Sequence, residues 1–292
     1  MVGNRALDAQ PLRSEAVKTE RSTLIGAKRV HLATTTWRPN GGKIKADIVL
    51  VHGYGEHSER YEAVAEHLTG AGYRVCTMDL RGHGRSTGVP RGVVDDFELV
   101  VDDVARLIER VRSDRPLFVY GHSMGGLVAA RLAERDEVEL AGAIIASPLM
   151  AAAESIPAPL VKVANVLGRL APRLPTITLD DSAISRVPEV VADYDTDPLN
   201  YRGKINAGTG MQMNVAMKAA LAEAGAIRCP VLIMHGTADQ LTAPSGSQDL
   251  AKRVGSTDVT LKLWDGAYHE LHHEPERLEV LALMTEWLDA HV

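Results

Sequence analysis

Gly121-His122-Ser123-Met124-Gly125-Gly126 is the stretch on which the reading of this chain turns. It follows the apolar run Leu117-Phe118-Val119-Tyr120 and opens a helical run over 127–135. A strand, then G-x-S-x-G, then a helix is the setting in which the backbone bends sharply and stands a serine hydroxyl clear of the sheet end. The glycines follow from that bend, because side chains at Gly121 and Gly125 would strike the neighbouring helix and strand. Without its setting the motif is a glycine turn that happens to hold a serine.

The rest of the chain supplies the sheet. Short continuous apolar runs over 47–52, 73–78, 140–147, 231–235 and 259–263 read as strands, the first three of them buried. Residues 23–29 and 30–38 alternate enough for two more, ended by the turn Pro39-Asn40-Gly41-Gly42. Helical spacing over 61–69 stops at Gly70 and Gly72; 97–112 and 275–290 are further helices, the last with Pro275 near its first turn. Strands alternating with helices predict an α/β fold with a mostly parallel sheet flanked by helices. The alternation breaks after the sixth strand. Residues 148–228 carry Pro157, Pro159, Pro172, Pro175 and Pro188, then an amphipathic run over 205–224 with Met211, Met213 and Met217. This predicts a helical cap inserted over the C-terminal edge of the sheet, with the core at 19–147 and 229–292 and a disordered extension at 1–18. Methionines can line an adaptable apolar pocket, and they pack equally well in an ordinary core.

A serine hydroxyl is a poor nucleophile until a base takes its proton, and the base needs an orienting acid. In this type of fold the order is serine, acid, histidine. Asp239 stands just past the strand 231–235 and His269 just past 259–263, so Ser123, Asp239 and His269 are the candidate catalytic residues. Two backbone N–H groups must meet the developing oxyanion. Met124 offers one, and Tyr54 in His52-Gly53-Tyr54-Gly55 offers the other. His269-Glu270-Leu271-His272-His273 also matches the zinc-peptidase pattern H-E-x-x-H. That chemistry needs one continuous helix, and Gly266 and Pro275 bracket the segment, so no metal and no cofactor is expected.

The 292 residues carry a formal net charge of −6 and 45% hydrophobic residues. The acidic balance argues against a nucleic-acid partner held through phosphates. Cys76 and Cys229 make no disulfide framework and read as reduced, largely buried thiols, which with the polar first twenty residues suggests a cytoplasmic protein without a signal peptide. No window holds 18 uncharged apolar residues, so any membrane association is peripheral and transient, through the cap. Nothing in the sequence indicates an oligomeric state.

Over about residues 25–290 the chain resembles the monoacylglycerol lipases of the α/β-hydrolase superfamily, particularly the actinobacterial type. The segments that carry the resemblance are H-G-Y-G-E-H-S-E-R-Y (52–61), D-L-R-G-H-G-R-S (79–86), G-H-S-M-G-G (121–126), Y-D-T-D-P-L (194–199), H-G-T-A-D (235–239) and G-A-Y-H-E-L-H-H-E (266–274). The resemblance implies the same triad and oxyanion pair. It further implies that Glu56, Arg60, Tyr194 and His272 hold the glycerol end of a lipid substrate; His122, beside the serine, is a further candidate substrate contact, and the place of the insertion makes Met211 and Met213 candidates for the wall of an acyl pocket. Animal relatives have a cysteine where this chain has Thr242, so thiol sensitivity does not carry over. The expected activity is serine-dependent hydrolysis of a monoacylglycerol. The alternatives are a short-chain or xenobiotic carboxylesterase, a lysophospholipase, or a catalytically silent binding protein of the same fold. Dehalogenases and epoxide hydrolases place an aspartate where this chain has Ser123.

Overall fold

In the computed structural model, which describes residues 17–152 and 166–292, an eight-stranded sheet runs β1-β2-β4-β3-β5-β6-β9-β10. The strands are β1 (Val17–Ile25), β2 (His31–Pro39), β3 (Asp47–Val51), β4 (Arg74–Met78), β5 (Leu117–His122), β6 (Gly142–Ala146), β9 (Val231–Gly236) and β10 (Val259–Trp264). β2 runs antiparallel to both its neighbours, β1 and β4, and the remaining pairs are parallel. Strand side chains alternate between two cores, as the pleat requires. Val49, Val51, Val119, Ile145 and Ile233 face one core, shared with α2 (Phe97–Val111) and α3 (Met124–Ala133). Ile48, Leu50, Phe118, Ile144 and Leu232 face the other, covered by α1 (Glu62–Gly70) and the closing helix α7 (Arg277–Asp289).

The first strands depart from expectation. Val17 and Lys18 register with Pro39 and Arg38, so they belong to the sheet; residues 1–16 of the expected extension lie outside the described residues. The strand expected over 23–29 ends at Ile25, because the chain must reverse before β2: Ala27–Arg29 is a 3₁₀ turn with positive φ at Lys28 and Arg29, tied down by Asp103 Oδ1 accepting from the Ala27 N–H at 2.9 Å.

Between β6 and β9 lies the insertion, with a two-stranded sheet of β7 (Pro175–Ile177) and β8 (Ile205–Asn206) beside α4 (Pro188–Thr196) and α5 (Ala207–Glu223); α6 (Pro244–Arg253) follows β9. The insertion is therefore not purely helical, and residues 153–165 of it lie outside the described residues. Asn206 starts α5 by accepting from the Thr209 N–H at 2.9 Å. Met213, Ala216 and Ala220 of α5 pack into the same core as Val49 and Ile145, which fixes this part of the insertion rigidly on the sheet.

Candidate active site

Ser123 sits between β5 and α3 with φ 57° and ψ −120°, a conformation that strains a residue bearing a Cβ. The glycines make the bend possible. A Cβ on Gly121 would lie 2.1 Å from the Gly125 carbonyl oxygen, and one on Gly125 would lie 2.1 Å from that of Val51. α3 thus touches β3 backbone to backbone, and Ser123 is lifted at its N-terminus.

Asp239 is held by the loop after β9. Its Oδ1 accepts from the N–H groups of Leu241 (2.8 Å) and Thr242 (3.0 Å); its Oδ2 accepts from Thr242 Oγ1 (2.9 Å) and His269 Nδ1 (2.7 Å), with His235 Nε2 3.0 Å away and also 3.2 Å from the Thr242 carbonyl oxygen. Burial pushes this carboxyl up, but His269 and His235 outweigh it and hold Asp239 well below the ordinary carboxylate range. The loops of acid and base are joined directly, the Ala238 N–H donating to the Ala267 carbonyl at 3.0 Å. A Cβ on Gly236 would come within 2.3 Å of the Ala267 and Tyr268 carbonyls, so the last residue of β9 must be small.

Ser123 and His269 line one cavity. No hydrogen bond joins them among the described residues; in unliganded sites this contact commonly tightens only when substrate binds. Tyr54 and Met124 line the same cavity. Neither backbone N–H has an acceptor among the described residues, whereas the Gly53 N–H is taken by Glu56 Oε1 at 2.6 Å. Two N–H groups without an acceptor therefore belong to residues of the wall that also holds Ser123.

The residues expected at the glycerol end divide. Glu56, His122 and Tyr194 line the cavity, and so does Met213; Arg60, His272 and Met211 do not. Arg60 lies behind the wall because two carboxylates occupy its guanidinium: Glu56 Oε2 at 2.7 Å, and Glu270 at 2.5 and 2.8 Å. His272 is buried and stacks on the Tyr61 ring with centroids 4.6 Å apart. Burial, then the neighbouring His273 and His122, hold His272 well below the usual histidine range, so it is neutral. Met211 abuts Gly168, where a Cβ would lie 2.5 Å from its own. Arg60 and His272 are placed to support the wall from behind, and Met211 packs within the insertion against Gly168.

His122 and Glu56 form a buried pair. Burial lowers the affinity of His122 for a proton, but the Glu56 carboxylate more than restores it and raises His122 above its ordinary value. Burial raises Glu56, yet hydrogen bonding to His122 and the charge of Arg60 hold it well below its own. A protonated His122 donates through Nδ1 to the Tyr61 hydroxyl (2.8 Å), which donates to Glu56 Oε1 (2.7 Å), and through Nε2 to the His269 carbonyl (3.2 Å). The residue preceding the serine therefore braces the loop that carries the base. The sequence reading also missed Asp181, Ile184 and Glu270 in the cavity wall; no local pattern marks them.

The H-E-x-x-H segment is not a helix. Leu271–His273 is a 3₁₀ turn, and His269 points to Asp239. Ligand atoms of Glu270, His272 and His273 lie within 4.8 Å of one another, but a cation there would displace Arg60 from Glu270.

The family described as serine aminopeptidase, S33, matches residues 42–276. A monoacylglycerol lipase of Mycolicibacterium smegmatis is 38% identical over 95% of this chain and 99% of its own length. The chain belongs to the monoacylglycerol lipase family of α/β-hydrolases. Among solved structures, the Paleococcus ferrophilus monoacylglycerol lipase is 36% identical with a TM-score of 0.80, over 90% of this chain and 99% of that one. A soluble variant of the Saccharomyces cerevisiae monoglyceride lipase, in complex with a substrate analogue, is 25% identical with a TM-score of 0.85, over 97% and 98%. The match runs over nearly the full length of these relatives, so the geometry above is read as that of a carboxylic ester hydrolase.

Proposed function

We propose that this protein hydrolyses monoacylglycerols to fatty acid and glycerol through an acyl-enzyme on Ser123. Ser123 Oγ attacks the ester carbonyl while His269 Nε2 takes its proton. The Tyr54 and Met124 N–H groups receive the oxyanion. As the intermediate collapses, the ester C–O bond breaks and His269 returns the proton to the leaving glycerol oxygen. A water molecule, deprotonated by His269, then releases the acyl group and restores the serine. The observation that carries this reading is the Asp239 Oδ2···His269 Nδ1 hydrogen bond of 2.7 Å, facing the cavity that holds a strained Ser123. It fixes the tautomer that leaves Nε2 free to accept. The names of the similar enzymes support the substrate class. Glu56, His122 and Tyr194 bring polar side chains to the cavity wall, a setting suited to an alcohol with free hydroxyls. The test is fluorophosphonate labelling of the native protein and of Ser123→Ala, with kcat/KM on 1-monolaurin, dilaurin and methyl laurate. Labelling only of the native protein and a preference for monolaurin are expected. Equal or better turnover of methyl laurate would remove the glycerol claim and leave a carboxylesterase.

The insertion also bears exposed apolar side chains, Val166 (57%), Leu170 (79%) and Leu174 (43%). No helix among the described residues is long and apolar enough to cross a membrane. These side chains support transient docking of the insertion on a lipid surface that presents the substrate. Co-sedimentation with phospholipid vesicles should fall in Leu170→Asp; no binding by the native protein would refute the docking.

A further inference from the structure

We propose that His235 is a positioning residue of the proposed triad, donating a second imidazole N–H to the Asp239 oxygen that holds His269 and thereby limiting how tightly the acid grips the base. His235 is the next-to-last residue of β9 and is fully buried. Its Nε2 lies 3.0 Å from Asp239 Oδ2 and 3.2 Å from the Thr242 carbonyl oxygen, so that one N–H is shared between the two acceptors, and its Nδ1 lies 2.7 Å from Ser247 Oγ on α6. An ionised carboxylate can only accept, so Nε2 carries the proton; the Ser247 hydroxyl then donates to the bare Nδ1. The result is a continuous chain from Ser247 through His235 and Asp239 to His269. The sequence gives His235 no role beyond the end of a strand, and a buried imidazole could as easily have faced the core.

The consequence is electrostatic. Every donor on Oδ2 draws charge from it and weakens its attraction for the imidazolium that His269 becomes on taking the Ser123 proton. His235 thus loosens the hold of Asp239 on the imidazolium, which eases return of the proton to the leaving alcohol. Removing the His235 N–H concentrates charge on Oδ2 and raises the proton affinity of His269. Merely disordering the acid would do the reverse. The other ionisable groups near this pair are His122, whose ring lies 4.7 Å from that of His269, Glu56 behind it, and Glu270 next in the chain; none is altered in the variants below.

The inference rests on the proposed triad, and the experiment separates the two. kcat/KM for 1-monolaurin is measured across the acid limb in the native protein, His235→Leu and His235→Gln, whose amide can reach where Nε2 stands, with fluorophosphonate labelling alongside. The limb of His235→Leu should move up by about one pH unit, about tenfold lower kcat/KM on its acid side, with most of the change in kcat. His235→Gln should restore most of it. A limb that stays or moves down in His235→Leu overturns the inference, while labelling of native Ser123 leaves the triad standing; a native protein that does not label overturns both. Should His235→Leu fail to fold, ¹⁵N shifts of the native histidines decide: protonation of His235 at Nε2 supports the inference and protonation at Nδ1 overturns it.

Discussion

At the scale of single residues, Ser123, Asp239 and His269 differ in what their loss should do. Ser123→Ala removes the nucleophile, and by analogy with triad knockouts kcat should fall about a million-fold while the fold persists. Circular dichroism and a spectrophotometric ester assay check both parts; more than a few per cent of residual activity would mean another nucleophile. Asp239→Asn keeps the shape but puts an amide where Oδ2 accepts from two imidazoles. His269 then loses its fixed tautomer, and kcat should fall about ten-thousand-fold. That Ser123, Asp239 and His269 would come together was legible because each stands just past its own strand and the order of the three is imposed by the fold. The donors on the far side of Asp239 were not legible. Whether Thr242 Oγ1 or His235 Nε2 turns toward a carboxylate depends on rotamers set by contacts distant in sequence. Arg60 and His272 came from resemblance alone, which ties them to a region and leaves open which side of the wall they occupy.

At the scale of elements, glycine has opposite consequences in two helices. In α3, Gly125 is the contact with β3, and Gly125→Ala must push the helix off the Val51 carbonyl that its Cβ would meet at 2.1 Å. Ser123 moves with the helix. Loss of about 3 kcal/mol or more in urea unfolding and slower fluorophosphonate labelling are expected together; a variant that unfolds normally and labels at the native rate would show that the packing tolerates the shift. In α1, Gly70 has no atom within 4 Å of a built Cβ, and the left-handed stop is made two residues later by Gly72 at φ 99°. Gly70→Ala should therefore stabilise by about 0.5–1 kcal/mol through the unfolded chain. The sequence reading took both glycines as the helix end, since composition alone does not tell which one adopts positive φ. The buried parallel strands were read well for a physical reason: with both faces covered they become continuous apolar runs that few other structures require. The insertion was harder to read. Its elements are short, and α5 buries its small side chains against the sheet rather than within a core of its own.

At the scale of the whole molecule, the polar groups sealed near the catalytic edge make stability depend on pH in a definite direction. Burial holds His52 and His272 below the ordinary histidine value of 6.5, and pushes His83 down to about 3. Such a group stays neutral in the folded protein while the unfolded chain takes up a proton below 6.5, so stability falls as pH drops. Two groups oppose this. His122, raised by Glu56, contributes stability that is full below 6.5 and lost as pH rises through its folded value. Glu134, pushed by burial to about 8, gains stability as pH falls from about 8 toward 4.5. Below 4.5, the lowered carboxyls of Glu56 and Glu270 begin to lose their contribution too. His83 isolates one of these effects. Its Nδ1 donates to the Arg81 carbonyl at 2.9 Å and its Nε2 is buried without a partner among the described residues, so protonation would create an unpaired N–H. His83→Asn keeps a donor near Nδ1 and removes the titration. The slope of unfolding free energy against pH should then be shallower by up to about 1.4 kcal/mol per pH unit between about pH 6 and pH 4. Denaturant titrations at several pH values read that slope apart from the constant loss caused by the smaller side chain. An unchanged slope would mean that the folded protein already accepts a proton at His83, and that this part of the catalytic edge is wetter than its packing shows.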